Sequence, residues 1–133
     1  MEDYISEEKF DIVVSNMVLM DALNIDGILS SVSRNLLLNG LFIFTITHPC
    51  FFPIYYKYDN KDWFKYDQEL IVENDFTITN EISTYKTVHI HRPLEFYFKL
   101  LNNNNLSVLE YQELFGNNFR FPRFILFKCQ KRL

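Results

Sequence analysis

The sequence predicts an α/β fold: part of a mostly parallel sheet with flanking helices. Three observations predict it. The continuous run Ile12, Val13, Val14 reads as a strand buried on two faces, and the apolar stretch 41–46 as a second buried strand. Between them Ile25, Ile28, Leu29, Val32 and Leu36 keep a 3.6-residue period, the mark of a packed helix. That strand–helix–strand order implies a right-handed parallel crossover.

Taken in order, the first strand covers residues 10–14 and ends in the small polar pair Ser15 and Asn16, at the edge where such a sheet places its ligands. Asp21 or Asn24 caps the following helix. Asn39-Gly40, tolerant of positive φ, is expected to stop it. The second strand runs over 41–46. Residues 50–90 then change character, with Phe51, Phe52, Tyr55, Tyr56, Trp63, Phe64 and Tyr66 crowded together and no period until Ile82. From there Ile82, Thr84, Lys86, Val88 and Ile90 alternate with Ser83, Tyr85, Thr87, His89 and His91, a strand pattern. This region is expected to be an insertion over the ligand end of the sheet, with a short hairpin. Pro93 opens a second helix striped by Leu94, Tyr97, Phe98 and Leu101. The four Asn of 102–105 make the turn out of it. Strands over 106–110 and 124–128, the second after a break at Pro122, finish a single domain of 133 residues.

Composition narrows the function. The chain is 48% hydrophobic and 17% aromatic, well above what disordered segments carry. A net charge of −4 and a pI near 5.3, with no basic stripe, argue against a nucleic-acid backbone as partner. No apolar run approaches the roughly 20 residues of a membrane span. The acidic start, MEDYISEEKF, lacks the pattern of a signal peptide. Cys50 and Cys129 have no metal or redox spacing and read as reduced thiols of a cytoplasmic protein. Asn105-Leu106-Ser107 matches a glycosylation sequon, read as chance in that setting. The three glycines, Gly27, Gly40 and Gly116, form no cluster, although a nucleotide-binding α/β domain needs one where backbone meets ligand.

The ordered pattern FD-apolar-apolar, SNMVLMD, L-x-x-G, FIFTITHPCFFP, HRPL-x-x-Y and PRF-apolar runs through most of the chain. It resembles the C-terminal half of a class I S-adenosylmethionine-dependent methyltransferase of the small-molecule type. The resemblance implies a partial Rossmann-like sheet in the family order four, five, seven, six, with the seventh strand antiparallel. It also implies methyl transfer to a small-molecule acceptor, with S-adenosylmethionine as methyl donor. The glycine-rich loop after the first family strand and the acid ending the second are absent from this sequence, so the chain is expected to be inactive alone. The alternative is a non-catalytic remnant, or a subunit completed by a partner chain that carries the cofactor loop. Carry-over to the cofactor site covers Ser15, Asn16 and Met17 only.

On the acceptor side, His48 at the end of the second strand is the candidate catalytic residue. Imidazole accepts protons near neutral pH, whereas a structural His would close the turn beside Pro49. Phe51 and Phe52 offer an apolar pocket wall. His89 and His91 share a strand face, but no third ligand has metal-site spacing. The resemblance places His91-Arg92-Pro93 beside the substrate cleft, where Arg92 either steers an anionic group or satisfies backbone carbonyls. Met17 and Met20 read as gap-fillers, Asp11 as a strand-end residue, and Cys50 as no nucleophile. The open edge of the first strand is expected to associate, with a second copy or with a complementing N-terminal half.

Overall fold

A computed structural model describes residues 1–78, 81–116 and 118–133. Thr79 and Asn80, within the predicted insertion, lie outside the described residues. Strands β1 (Phe10–Asn16), β2 (Leu36–Thr47), β5 (Leu106–Phe115) and β6 (Pro122–Lys131) form one sheet in the order β1-β2-β6-β5. β1 and β2 pair in parallel, and β6 runs antiparallel to both β2 and β5. This is the predicted four, five, seven, six order with its one reversed strand.

Helices α1 (Ile25–Asn35) and α3 (Leu94–Asn103) cover one face of this sheet. Ile25 and Leu29 of α1 and Tyr97 and Leu101 of α3 join Phe42, Phe44, Ile46, Ile125, Phe127 and Cys129 in a single core. Phe44 stacks on Phe42 and on Phe127, with centroids 4.9 Å apart in both pairs. The opposite face carries Ile12 and Val14, 54% and 67% exposed, with Leu41, Ile43 and Leu126 half-buried beside them. No helix of the described residues covers it. The expectation that β1 is buried on two faces is therefore corrected: Val13 packs on the core, and its neighbours face outward.

Other boundaries shift for physical reasons. Asn24 does cap α1, its side chain accepting from the Gly27 N–H at 3.0 Å. The helix ends at Asn35, however, and Leu36 is the first residue of β2, fully buried and paired with Phe10. The pairing then jumps from Phe10–Leu36 to Ile12–Leu41, so residues 37–40 bulge out of the ladder. Asn39 turns there with φ 64°, and a Cβ on Gly40 would lie 2.9 Å from the Leu37 carbonyl and 3.0 Å from that of Asp11. The Asn39-Gly40 pair thus shapes a bulge inside a strand, where helix termination was expected. Pro93 is the cap of α3 and Leu94 its first residue. Asn105 makes the left-handed turn into β5 with φ 57°.

The region after β2 holds a short helix α2 (Phe52–Tyr55) and a long antiparallel hairpin, β3 (Leu70–Ile78) and β4 (Glu81–His91). β4 was expected; β3 is the strand that sequence period did not disclose. Arg92 holds this hairpin against the sheet end. Its Nε donates to Glu69 at 2.5 Å, and its two Nη atoms reach the carbonyls of Leu19, at 3.3 Å, and Ala22, at 2.6 Å. Residues 1–9 run beside α1, where Ser31 and Asn35 donate to the Tyr4 carbonyl.

Candidate functional site

Parallel strands end together, and the space beyond their carboxyl ends is where such sheets bind ligands. Here β1, β2 and β5 end at the edge where β6 begins, and the β3–β4 hairpin arches over it. Between them lies a partly open cavity of about 270 Å³. Met17, Thr47 and Phe124 form its floor, Phe52 and Tyr56 one wall, and Thr87, Val88 and His89 the roof. Asp21 of the 3-10 turn Leu19–Asp21 and Arg123 of β6 bring opposite charges to the same lining. A second cavity, of about 200 Å³, opens on the bare sheet face between Asn16, Thr45 and Leu114. Met17 and Phe124 line both, so the two cavities adjoin at the end of β1.

Met17 is the pivot. Its φ of 55° is left-handed, an uncommon conformation for a residue with a side chain. Two bonds from its N–H hold it there, to the Thr45 carbonyl at 3.0 Å and the Thr45 hydroxyl at 3.1 Å. That hydroxyl donates in turn to the Asn16 Oδ1 at 2.5 Å.

Beside the cavity stands a polar cluster. His48, 2% exposed, donates its backbone N–H to the Arg123 carbonyl at 2.7 Å. Its own carbonyl accepts from the N–H groups of Phe51 and Phe52, starting the turn into α2. The His48 Nε2 meets the Glu113 carboxylate at 2.9 Å, and its Nδ1 accepts from the Cys50 N–H at 3.2 Å. Burial alone would lower the His48 pKa, but bonding to Cys50 and Glu113 outweighs it, so the pKa is raised. Hydrogen bonding of the Cys50 side chain to His48 lowers the thiol pKa against the effect of burial, and the Tyr66 hydroxyl lies 3.4 Å from the sulfur. The sequence contained both halves of this pair, two residues apart, without showing that the ring turns back toward the thiol.

The predicted site residues therefore separate. Met17 and Phe52 line the larger cavity, and Asn16 the smaller. Ser15 is half-buried within β1 and lines neither. His48 and Phe51 turn toward the β5–β6 side, where Phe51 stacks on Phe121 at 5.0 Å. His91 and Arg92 line only a void of about 10 Å³, room for a single water at most. Arg92 donates to Glu69 and to the carbonyls of Leu19, Ala22 and Leu23, which favours its packing role over recognition of a substrate. His91 directs its Nε2 at the Tyr66 carbonyl, 2.8 Å away.

His89, read only as half of a metal pair, proves to be a roof residue. Its Nε2 lies 2.9 Å from the Tyr58 hydroxyl, and burial together with the neighbouring His91 pushes its pKa down to about 4. It is neutral at pH 7. Among the described residues no group of three or more His, Cys, Asp or Glu is placed to hold a metal ion, and no helix is long and apolar enough to cross a membrane. Sequence reasoning missed Arg123 and took Asp21 only as a helix cap; the PRF and SNMVLMD motifs contained them without showing that they converge.

No family model matches the chain, and no curated protein matches its sequence. Solved structures do match in fold. One from Listeria monocytogenes, assigned to the S-adenosylmethionine-dependent methyltransferases, superposes with a TM-score of 0.77 at 21% identity, over 99% of this chain and 66% of that one. An S-adenosylmethionine-dependent methyltransferase from Clostridium acetobutylicum gives 0.66 at 17% identity, over 99% and 62%. The 1,6-didemethyltoxoflavin-N1-methyltransferase of Burkholderia thailandensis, solved with its substrate and S-adenosylhomocysteine, gives 0.62 at 10% identity, over 99% and 48%. The chain thus spans less than two thirds of the length of these structures. Their shared architecture and the β1-β2-β6-β5 order lead to one conclusion: this chain has the fold of the C-terminal part of an S-adenosylmethionine-dependent methyltransferase.

Proposed function

We propose that the protein takes part in methyl transfer from S-adenosylmethionine to a small-molecule acceptor. The carrying observation is the pair of adjoining cavities that share Met17 and Phe124. Methyl transfer between two small molecules needs a donor site and an acceptor site that meet at one point, with nucleophile and methyl group in line. The cavity under the hairpin suits the acceptor. The other, beside Asn16 and Thr45, lies on the side where the resemblance puts the donor.

Only part of a donor site is present. Asn16, Met17 and Thr45 make one wall, and none of the three glycines lies at either cavity. These residues do not amount to a set that would hold the methionine and ribose of the cofactor, so no step is derived through it. In this reading a complementing polypeptide supplies the rest across the bare sheet face and the outer edge of β1. A second copy of the chain is the alternative occupant. The uncovered face also favours a second reading, a non-catalytic subunit that completes another chain's site. Cytoplasmic residence belongs to the same proposal, supported by the free thiols of Cys50 and Cys129.

The test compares the purified chain with the same chain recovered from its native cells together with whatever polypeptide accompanies it. Calorimetry with S-adenosylmethionine is expected to show no micromolar binding for the chain alone. Missing polar contacts cost on the order of 1–3 kcal/mol each. Transfer of labelled methyl groups to small-molecule extracts is expected only with the native assembly, and its absence there would refute the catalytic reading. In an active assembly His48→Ala is expected to lower turnover with little change in cofactor affinity, because it disturbs the turn carrying Phe52.

A further inference from the structure

We infer that the cavity under the hairpin takes an acceptor bearing a single carboxylate, and that Arg123 receives it. This rests on the proposed acceptor role of that cavity and goes beyond it by assigning a chemical class and a recognition residue.

Arg123 is a cation in a prepared seat. Its Cζ lies 3.8 Å over the Tyr55 ring and 5.0 Å from the centroid of Phe124, contacts that hold a guanidinium in one plane. Gly116 makes the room: a Cβ there would stand 2.5 Å from the Arg123 Cδ and 2.9 Å from an Nη. Yet nothing among the described residues pairs with the charge. Arg123 forms no ion pair, and its Nε is buried without a hydrogen-bond partner. A cation at a cavity with no counter-ion favours an anionic occupant, and a planar guanidinium is matched best by a carboxylate.

The surroundings fix the rest of the class. Arg123 is the only Lys or Arg in the lining, and Asp21 brings a negative charge to the same space. One cation opposed by one acid suits a monoanion and works against a phosphate monoester, which carries nearly two charges. Met17, Met20, Phe52, Val88 and Phe124 among the other lining residues suit an apolar or aromatic body. The volume of about 270 Å³ is at the lower end for small-molecule sites, which excludes macromolecular acceptors from full entry.

Phenylacetate, phenylacetamide and phenyl phosphate are matched probes for these terms. Titrations of the chain followed by nuclear magnetic resonance would give each affinity. Phenylacetate is expected to bind about tenfold or more tighter than phenylacetamide, the scale of a charged hydrogen bond. Arg123→Gln should abolish that preference while leaving phenylacetamide unchanged, and Arg123→Lys should restore it in part. Should Arg123→Gln fail to fold, Gly116→Ala carries the test, because it displaces the guanidinium and should weaken phenylacetate alone. Equal affinity for acid and amide, tighter binding of phenyl phosphate, or no binding of any probe would each overturn the inference. An acid preference lost in Arg123→Gln, in a native assembly that transfers no methyl group, would sustain the anion site and refute its acceptor role. Methyl transfer in that assembly unaffected by Arg123→Gln would do the reverse.

Discussion

At the scale of single residues, the two cysteines make a controlled comparison. Cys129 is fully buried in the core, and burial pushes its pKa up to about 12. Cys50, half-buried beside His48, has its pKa lowered. Because the thiolate is the reactive form, iodoacetamide should modify Cys50 about tenfold or more faster than Cys129 at pH 7. His48→Gln should slow Cys50 there and match the wild type once the thiol is ionised in both; peptide mass spectrometry reads both rates. The histidines also set the acid limb of stability. His89 titrates near 4 when folded, and a free imidazole near 6.5. Between those values the unfolded chain holds a proton that the folded one does not, so stability falls as pH drops from about 6.5 to 4. The loss is on the order of 3 kcal/mol from this residue, and the lowered pKa of His91 acts in the same direction. His48 has the opposite sign, its contribution being complete below 6.5 and lost as pH rises through its raised folded value. Urea denaturation of His89→Gln across pH 4–7 should show a flatter acid limb than the wild type.

At the scale of elements, local chemistry was legible and tertiary choice was not. The Asn24 cap of α1 follows from Asn preceding an apolar period, and Asn24→Ala should cost about 1 kcal/mol in denaturant unfolding. The other end of that helix was misread because Leu36 continues the helical period, whereas pairing with Phe10 claims it for β2. β3 left no period to read, since apolar residues 70–72 run together although Val72 is buried and Ile71 is 69% exposed. Of the candidate site, Met17 and Phe52 could be found from motifs at strand ends. Asp21 and Arg123 could not, because they meet only when the 3-10 turn and β6 reach the same edge. Arg92 ties these pieces together, and Arg92→Met would take the buried donors away from Glu69 and from the Ala22 carbonyl. That should destabilise the protein by about 2 kcal/mol or more, with hydrogen exchange rising first in β4 and the turn.

At the scale of the whole molecule, the sheet is one-sided. Its helices cover one face, while Ile12 and Val14 stand open on the other beside the outer edge of β1, which pairs with no other strand among the described residues. Flat β-branched edges recruit other chains unless charge or proline blocks them. Sedimentation velocity should therefore show association that grows with concentration and weakens in Ile12→Lys or Val14→Lys. A monomer persisting at high concentration would contradict it.

That bare face also changes what a melting temperature would mean. If a counterpart binds the folded chain and not the unfolded one, folding and docking become a single linked equilibrium. Each tenfold rise in free counterpart well above its dissociation constant then adds about 1.4 kcal/mol to apparent stability. Thermal melts at several concentrations, and with the native companion added, would report the strength of the contact without any activity assay.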